Sequence, residues 1–211
     1  MSKYLYIFDA GHGGINPITQ EYVTSGKRSP KPMKNGEVFY EGVNNLKLVV
    51  MLQEAFTKHR LDNTHTRCGW MDTSLKNRVD IANQLQDKRE TIFISIHSNG
   101  AGDGRDWHPA HGISVYTSPG ETRSDAFAEL WMDEIKKEFG DSVRYRTDYY
   151  SDGDADKEAN FYVLRNTKSP AFLCELGFHS NQEEVERINT DEWRNSVVNA
   201  FVEWAFKMEG K

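Results

Sequence analysis

Apolar residues recur along this chain in two alternating rhythms. Short runs rich in β-branched and aromatic residues end at glycines or polar residues, and between them apolar positions return every three or four residues. Leu5 to Phe8 reads as a first strand. Val43, Leu46, Val49, Val50, Ala55 and Phe56 repeat at helical spacing up to about His59, and Asn63 to Thr66 reads as a second strand. Ser74 opens a helix with Leu75, Val79, Ala82 and Leu85 on one face. Thr91 to Ile96 is too short and too branched for a buried helix and is predicted as a strand. Ile113 to Thr117 follows as a strand by alternation, and Ser124 to Phe139 as a helix with Phe127, Leu130, Trp131 and Ile135 inward. Phe161 to Leu164 and Ala171 to Leu173 read as two further strands. Ser180 with Glu183 fits a capping box on a short helix. Thr190 caps a last helix whose Trp193, Val197, Phe201, Trp204 and Met208 form a stripe of core residues.

Strands alternating with helices predict an α/β fold, a mostly parallel twisted sheet with helices on both faces. Three long loops interrupt it. Residues 15–40 hold Pro17, Gly26, Pro30, Pro32 and Gly36 without sustained periodicity, and 100–112 are glycine-rich. The third loop, around Asp152-Gly153-Asp154-Ala155-Asp156, mimics the start of a calcium loop. It has Lys157 and Val163 where that loop needs glycine and glutamate, so calcium is not expected. No repeat or low-complexity linker divides the 211 residues, which fit one domain spanning 1–211.

Composition narrows the classes of function. The chain is 37% hydrophobic and 12% aromatic, enough for a core, and its net charge of −6 argues against a nucleic-acid binder. No apolar run reaches the about 18 residues of a membrane span. Met1 to Tyr6 leads directly into a strand and shows no signal-peptide pattern, so synthesis without a visible leader is expected. Lys27, Arg28, Lys31 and Lys34 make the first loop basic and read as solvated. Two cysteines are too few for a disulfide scaffold; Cys174, in a strand, reads as a small buried hydrophobe, whereas Cys68 carries no message.

The candidate chemistry sits where the elements end. His12 stands among glycines after the first strand, His97 ends the third, Glu175 follows Cys174, and Glu41 opens the first helix. In a parallel sheet such strand ends share one edge, so distant residues converge there. Two histidines, a glutamate and an open position form the donor set of a catalytic zinc site. A further glutamate that is not a ligand serves as general base and acid. Glu41 has a second explanation as a carboxylate complementing the helix dipole. Glu37 competes with it but does not start the helix, and His111 and His179 are rival ligands. Asp9 is a turn residue or a carboxylate supporting the metal site. If Glu175 points into a cleft, strand alternation turns Cys174 into the packed layer.

Asp9-Ala10-Gly11-His12-Gly13-Gly14, Glu41 at a helix start, Ser95-Ile96-His97-Ser98-Asn99 and Cys174-Glu175-Leu176-Gly177-Phe178-His179-Ser180-Asn181 resemble the zinc-dependent N-acetylmuramoyl-L-alanine amidases. These peptidoglycan hydrolases have a phosphorylase/hydrolase-like α/β fold. Thr66-Arg67, Ser74-Leu75, Arg78, Ala82-Asn83, Val163-Leu164-Arg165 and Pro170 agree, so the resemblance runs from Tyr4 to about Phe206. Two positions depart from the family: Ala10 replaces the usual proline, and His179 replaces an aliphatic residue. The resemblance implies that His12, Glu41 and His97 bind Zn2+ and that Glu175 is catalytic. It implies hydrolysis of the amide between N-acetylmuramic acid and L-alanine in peptidoglycan. The enzyme would be an amidase of the cell wall, secreted or released at lysis in the manner of a phage endolysin, with no separate cell-wall-binding domain. A metallopeptidase cutting within the stem peptide and a non-catalytic wall-binding module that kept the fold are the alternatives.

Overall fold

The computed structural model describes residues 1–150 and 153–211, so Asp152 of the calcium-like stretch lies outside the described residues. Six strands form one sheet: β1 (Leu5–Ala10), β2 (Asn63–His65), β3 (Thr91–Asn99), β4 (Ile113–Thr117), β5 (Lys157–Glu158) and β6 (Ala171–Phe178). Their order is β2-β1-β3-β6-β4-β5. β2, β1, β3 and β6 run parallel, and β4 pairs antiparallel with β6. The predicted mostly parallel α/β sheet is therefore present. The described helices are α1 (Glu41–Lys58), α2 (Leu75–Gln86), α3 (Arg123–Phe139), α4 (Tyr162–Asn166), α5 (Gln182–Ile188) and α6 (Asp191–Met208).

Strand alternation divides the sheet into two unequal faces. Tyr6, Phe8, Ile92, Ile94, Ile96, Phe172 and Cys174 point to one side and join Leu48, Phe56, Trp131, Phe201 and Trp204 in the main core under α1, α3 and α6. Ile7, Phe93, Ala171 and Leu173 point to the other and meet Val79, Ala82, Val163 and Leu164 of α2 and α4 in a smaller core. On this second side the next residues along the strands are polar. Asp9 lies beside Ser95 in the register, and His97 beside Glu175. The first turns of α2 and α4, at Leu75, Arg78, Tyr162 and Val163, line a cavity at that end together with His97 and Glu175.

Several local expectations change. Phe161 to Leu164, predicted as a strand, instead starts the helical turn of α4: the Phe161 carbonyl accepts from the Leu164 and Arg165 N–H groups. Val163 and Leu164 face the smaller core while Phe161 and Tyr162 stay exposed, a helical division that five residues are too few to reveal in sequence. Leu75, predicted inward, is 54% exposed because it sits in the first turn of α2, at the open end of the sheet. Val50 is likewise exposed, and the buried stripe of α1 runs through Leu48, Val49, Leu52 and Phe56. Asn181, not Ser180, caps α5, its side chain accepting from the N–H groups of Glu183 and Glu184. Thr190 caps α6 as expected. The 15–40 loop is more ordered than its composition suggested: bridges join Ile15 to Tyr22 and Arg28 to Tyr40, and Met33 and Phe39 are buried.

Candidate metal centre

His12, Glu41 and His97 meet at the open edge, although the first two are separated by the whole 15–40 excursion. Glu41 Oε1 lies 3.3 Å from His12 Nε2 and 3.1 Å from His97 Nδ1. The donor atoms of the three residues all fall within 4.8 Å of one another. Glu41 is buried at 1% exposure, whereas Glu37, its competitor in the sequence, is exposed on the excursion and bonds Asn35. The Ser98 N–H donates to Glu41 Oε1 at 3.2 Å. Glu41 thus turns away from a dipole-only role and faces the two imidazoles.

Close backbone packing makes this convergence possible. A Cβ on Gly11 would stand 2.1 Å from His97 Cε1, and one on Gly42 would stand 1.9 Å from the Gly13 carbonyl oxygen. Only glycine lets the β1 turn, β3 and the α1 start approach this far. His12 itself has φ +62, a left-handed conformation uncommon for a residue with a side chain.

Two arginines hold the turn. Arg78 donates to Asp9 Oδ1 at 2.5 Å, to the Ala10 carbonyl at 2.7 Å and to the His12 carbonyl at 3.0 Å. Arg67 reaches the carbonyls of Ala10, Gly69 and Gly42 at 3.1, 2.5 and 2.6 Å. Both were visible in the sequence only as family markers, and nothing in the pattern signalled their role as backbone clamps. Asp9 accepts from Thr66, Ser95 and Arg78, so it supports His12 through the arginine and the main chain.

The electrostatics follow from burial and pairing. Burial alone would raise the Glu41 carboxyl, but hydrogen bonds from His12 and His97 hold it well below the usual range. For His97 burial works downward, and the Glu41 carboxylate outweighs it and raises the imidazole. Glu175, half-buried and next to His97 in the register, is pushed up to about 8, chiefly by burial. The Glu41 charge adds to this and His97 opposes it. Cys174, its neighbour on the strand, is fully buried on the opposite face, as alternation requires.

The rival histidines separate cleanly. His111 is exposed and turns Nδ1 to the Pro109 carbonyl at 2.9 Å. His179 is buried, with Nδ1 3.0 Å from the Ser98 carbonyl and 3.8 Å from Glu41 Oε2, so it lies behind Glu41. Burial lowers its pKa, against the opposing pull of the Glu41 charge.

The three residues fit a metal ion: a shared carboxylate oxygen sits between two ring nitrogens, and Glu41 Oε2 is buried without a hydrogen-bond partner among the described residues. Glu175 Oε2 is in the same condition. An α/β sheet with a His-Glu-His cluster and an unpartnered carboxyl at its carboxyl edge defines the class of protein. Residues 7–204 match the family model described as N-acetylmuramoyl-L-alanine amidase, and the chain belongs to that family. It is 27% identical over 199 residues to an uncharacterized cell wall amidase of Bacillus anthracis, covering 92% of this chain and 33% of that protein. It is 24% identical over 204 residues to an endolysin of Bacillus phage SPP1, covering 96% of this chain and 65% of the endolysin. The chain therefore spans between one third and two thirds of the length of these relatives. A solved N-acetylmuramoyl-L-alanine amidase from Clostridium difficile 630 shares the fold, with a TM-score of 0.75, 23% identity and coverage of 98% of this chain and 97% of that one.

Proposed function

We propose that this chain is a zinc-dependent N-acetylmuramoyl-L-alanine amidase of the cell wall. In this reading it hydrolyses the amide between the lactyl carbonyl of N-acetylmuramic acid and L-alanine of the stem peptide. His12 Nε2, His97 Nδ1 and Glu41 Oε1 would hold the zinc, and Glu175 would move the proton. The observation that carries the reading is the Glu175 carboxyl, in register with His97 and unpartnered at Oε2. A buried carboxyl oxygen without a partner is costly unless it has work to do. The names of the relatives, a cell wall amidase and an endolysin, support the same substrate. Among the described residues no helix is long and apolar enough to cross a membrane.

Zinc, when bound, supplies a Lewis acid that polarises the scissile carbonyl and acidifies water. Glu41 holds its charge between the two imidazoles, and His97 gives up its proton when its ring nitrogen is used as a ligand. Positive charge held by the neighbouring cluster would lower the Glu175 pKa. Glu175 then takes the proton of the attacking water and delivers it to the leaving amine of L-alanine. His179, locked to the Ser98 carbonyl, backs Glu41 without competing for the metal.

Chelation is expected to abolish hydrolysis of purified peptidoglycan and zinc to restore it. Mass spectrometry should find stem peptides with a free L-alanine amine. Glu175→Gln is expected to lose on the order of 10²–10⁴ in rate while keeping bound zinc. His12→Ala is expected to lose the zinc itself. Activity indifferent to chelation, or new termini inside the stem peptide, overturns the assignment.

A further inference from the structure

Two cavities meet over the cluster. One, of about 970 Å³, is polar and includes Arg28, Ser98, Asn99 and His179 in its wall. The other, of about 470 Å³, is more apolar, with Leu75, Phe161, Tyr162 and Leu173. Five residues line both: His12, His97, Glu175, Phe161 and Lys27. The hydrolytic scheme uses the first three and leaves the lysine without a task.

Lys27 is fixed through its main chain. Its carbonyl accepts from the Glu41 N–H at 3.0 Å, one hydrogen bond from a proposed ligand. Its exposed side chain makes no ion pair or hydrogen bond among the described residues; Arg28 beside it is likewise unpaired, whereas two other nearby cations are engaged. Lys31 pairs with Asp106, and Arg78 with Asp9 and Asp72. The Lys27 charge is nevertheless felt inside the site, by both Glu175 and His179. An uncompensated cation at the junction of two cavities favours an anionic ligand there.

The substrate class proposed above carries an anion close to the scissile amide. The sugar arm is uncharged. On the peptide arm the first charge past the scissile amide is the α-carboxylate of the second stem residue, a D-glutamate linked through its γ-carboxyl. Amidation of that group removes the charge with little change of shape. We propose that Lys27 binds this carboxylate and makes the protein discriminate against amidated stem peptides. The inference rests on the amidase reading for its substrate and on Lys27 for its selectivity.

The test compares MurNAc-L-Ala-γ-D-Glu-L-Lys with the same compound carrying D-isoglutamine, using zinc-loaded full-length chain. The acidic form is expected to be cleaved with about five-fold higher kcat/KM, mostly through KM, the size of one solvent-exposed charge pair. Lys27→Met should bring the ratio to about one, and Lys27→Arg should keep it. In parallel, calorimetry on zinc-free protein should show the acidic tripeptide L-Ala-γ-D-Glu-L-Lys binding more tightly than its amide, with the difference gone in Lys27→Met. Equal cleavage of both substrates by the wild type, or a preference that survives Lys27→Met, overturns the inference and leaves the amidase standing. Cleavage of neither substrate, with the Lys27-dependent binding difference intact, overturns the amidase reading and supports the anion site.

Discussion

Replacing Arg78 with methionine is expected to cost about 3–5 kcal/mol of folding stability at pH 7.5, because it leaves the Asp9 carboxylate buried and unpaired. The guanidinium is 2% exposed and Asp9 1%, so water cannot take over the lost contact. The same change removes the bonds to the Ala10 and His12 carbonyls. His12 then keeps its left-handed backbone, worth about 1–3 kcal/mol of strain, without its clamp. The pH dependence separates charge from packing. In the wild type, burial would raise Asp9, but Arg78 and the hydroxyls of Thr66 and Ser95 outweigh it and hold the pKa below its ordinary value. That stabilisation is fully present above the unfolded-state pKa, near 3.8, and is lost as pH falls through the lower folded value. In the variant burial prevails, the folded pKa rises above the unfolded one, and the penalty grows as pH rises through that window. Urea unfolding at pH 4.5 and 7.5 should therefore show a smaller difference between wild type and variant at the lower pH. Adding Asp9→Asn to the variant should recover part of the loss at pH 7.5. A cost below about 1 kcal/mol, or one identical at both pH values, refutes the buried-charge account.

Two further substitutions probe the approach of the backbone and the main core. Gly42→Ala forces a methyl group against the Gly13 carbonyl, and overpacking of about 1–3 kcal/mol should appear as at least a tenfold weaker zinc affinity, measured by competition with a chromogenic chelator. Unchanged affinity would show that the α1 start can shift without moving Glu41. Phe201→Ala removes a ring packed edge-on to Phe8 at 6.3 Å and tilted against Trp131 at 5.3 Å, and should cost about 3–5 kcal/mol in urea unfolding. A loss under about 1 kcal/mol would mean that α6 repacks freely.

The fold and the cluster were legible to different depths. His12, His97 and Glu175 could be placed because each ends an apolar run, and alternation along β6 already separated Glu175 from Cys174. Glu41 could be placed only by the onset of helical periodicity, since the proline- and lysine-rich excursion before it hides its spatial relation to His12. The excursion's own order comes from contacts far along the chain. The Lys34 N–H bonds Glu186, and Lys31 pairs with Asp106. No local pattern encodes such contacts. α4 was misread because Phe161 to Leu164 has strand-like composition and the division of its faces depends on α2 beneath it. The clamping by Arg67 and Arg78 was invisible for a related reason: arginine is normally exposed, and the carbonyls that bury these two come from separate stretches, at Ala10 and His12, at Gly42, and at Gly69 and Thr73.

The sheet's unequal faces bear on how this protein can change. Tyr6, Phe8, Phe56, Trp131, Phe172, Phe201 and Trp204 all lie in the core away from the cluster, while the core on the cluster's side contains a single fully buried ring, Phe93. Most of the apolar anchoring is thus separated by one layer of strands from the walls that would touch a ligand. Variation at Leu75, Phe161, Tyr162 or Lys27 draws little on that anchoring, so selectivity can drift among descendants of this chain while the same folded frame persists.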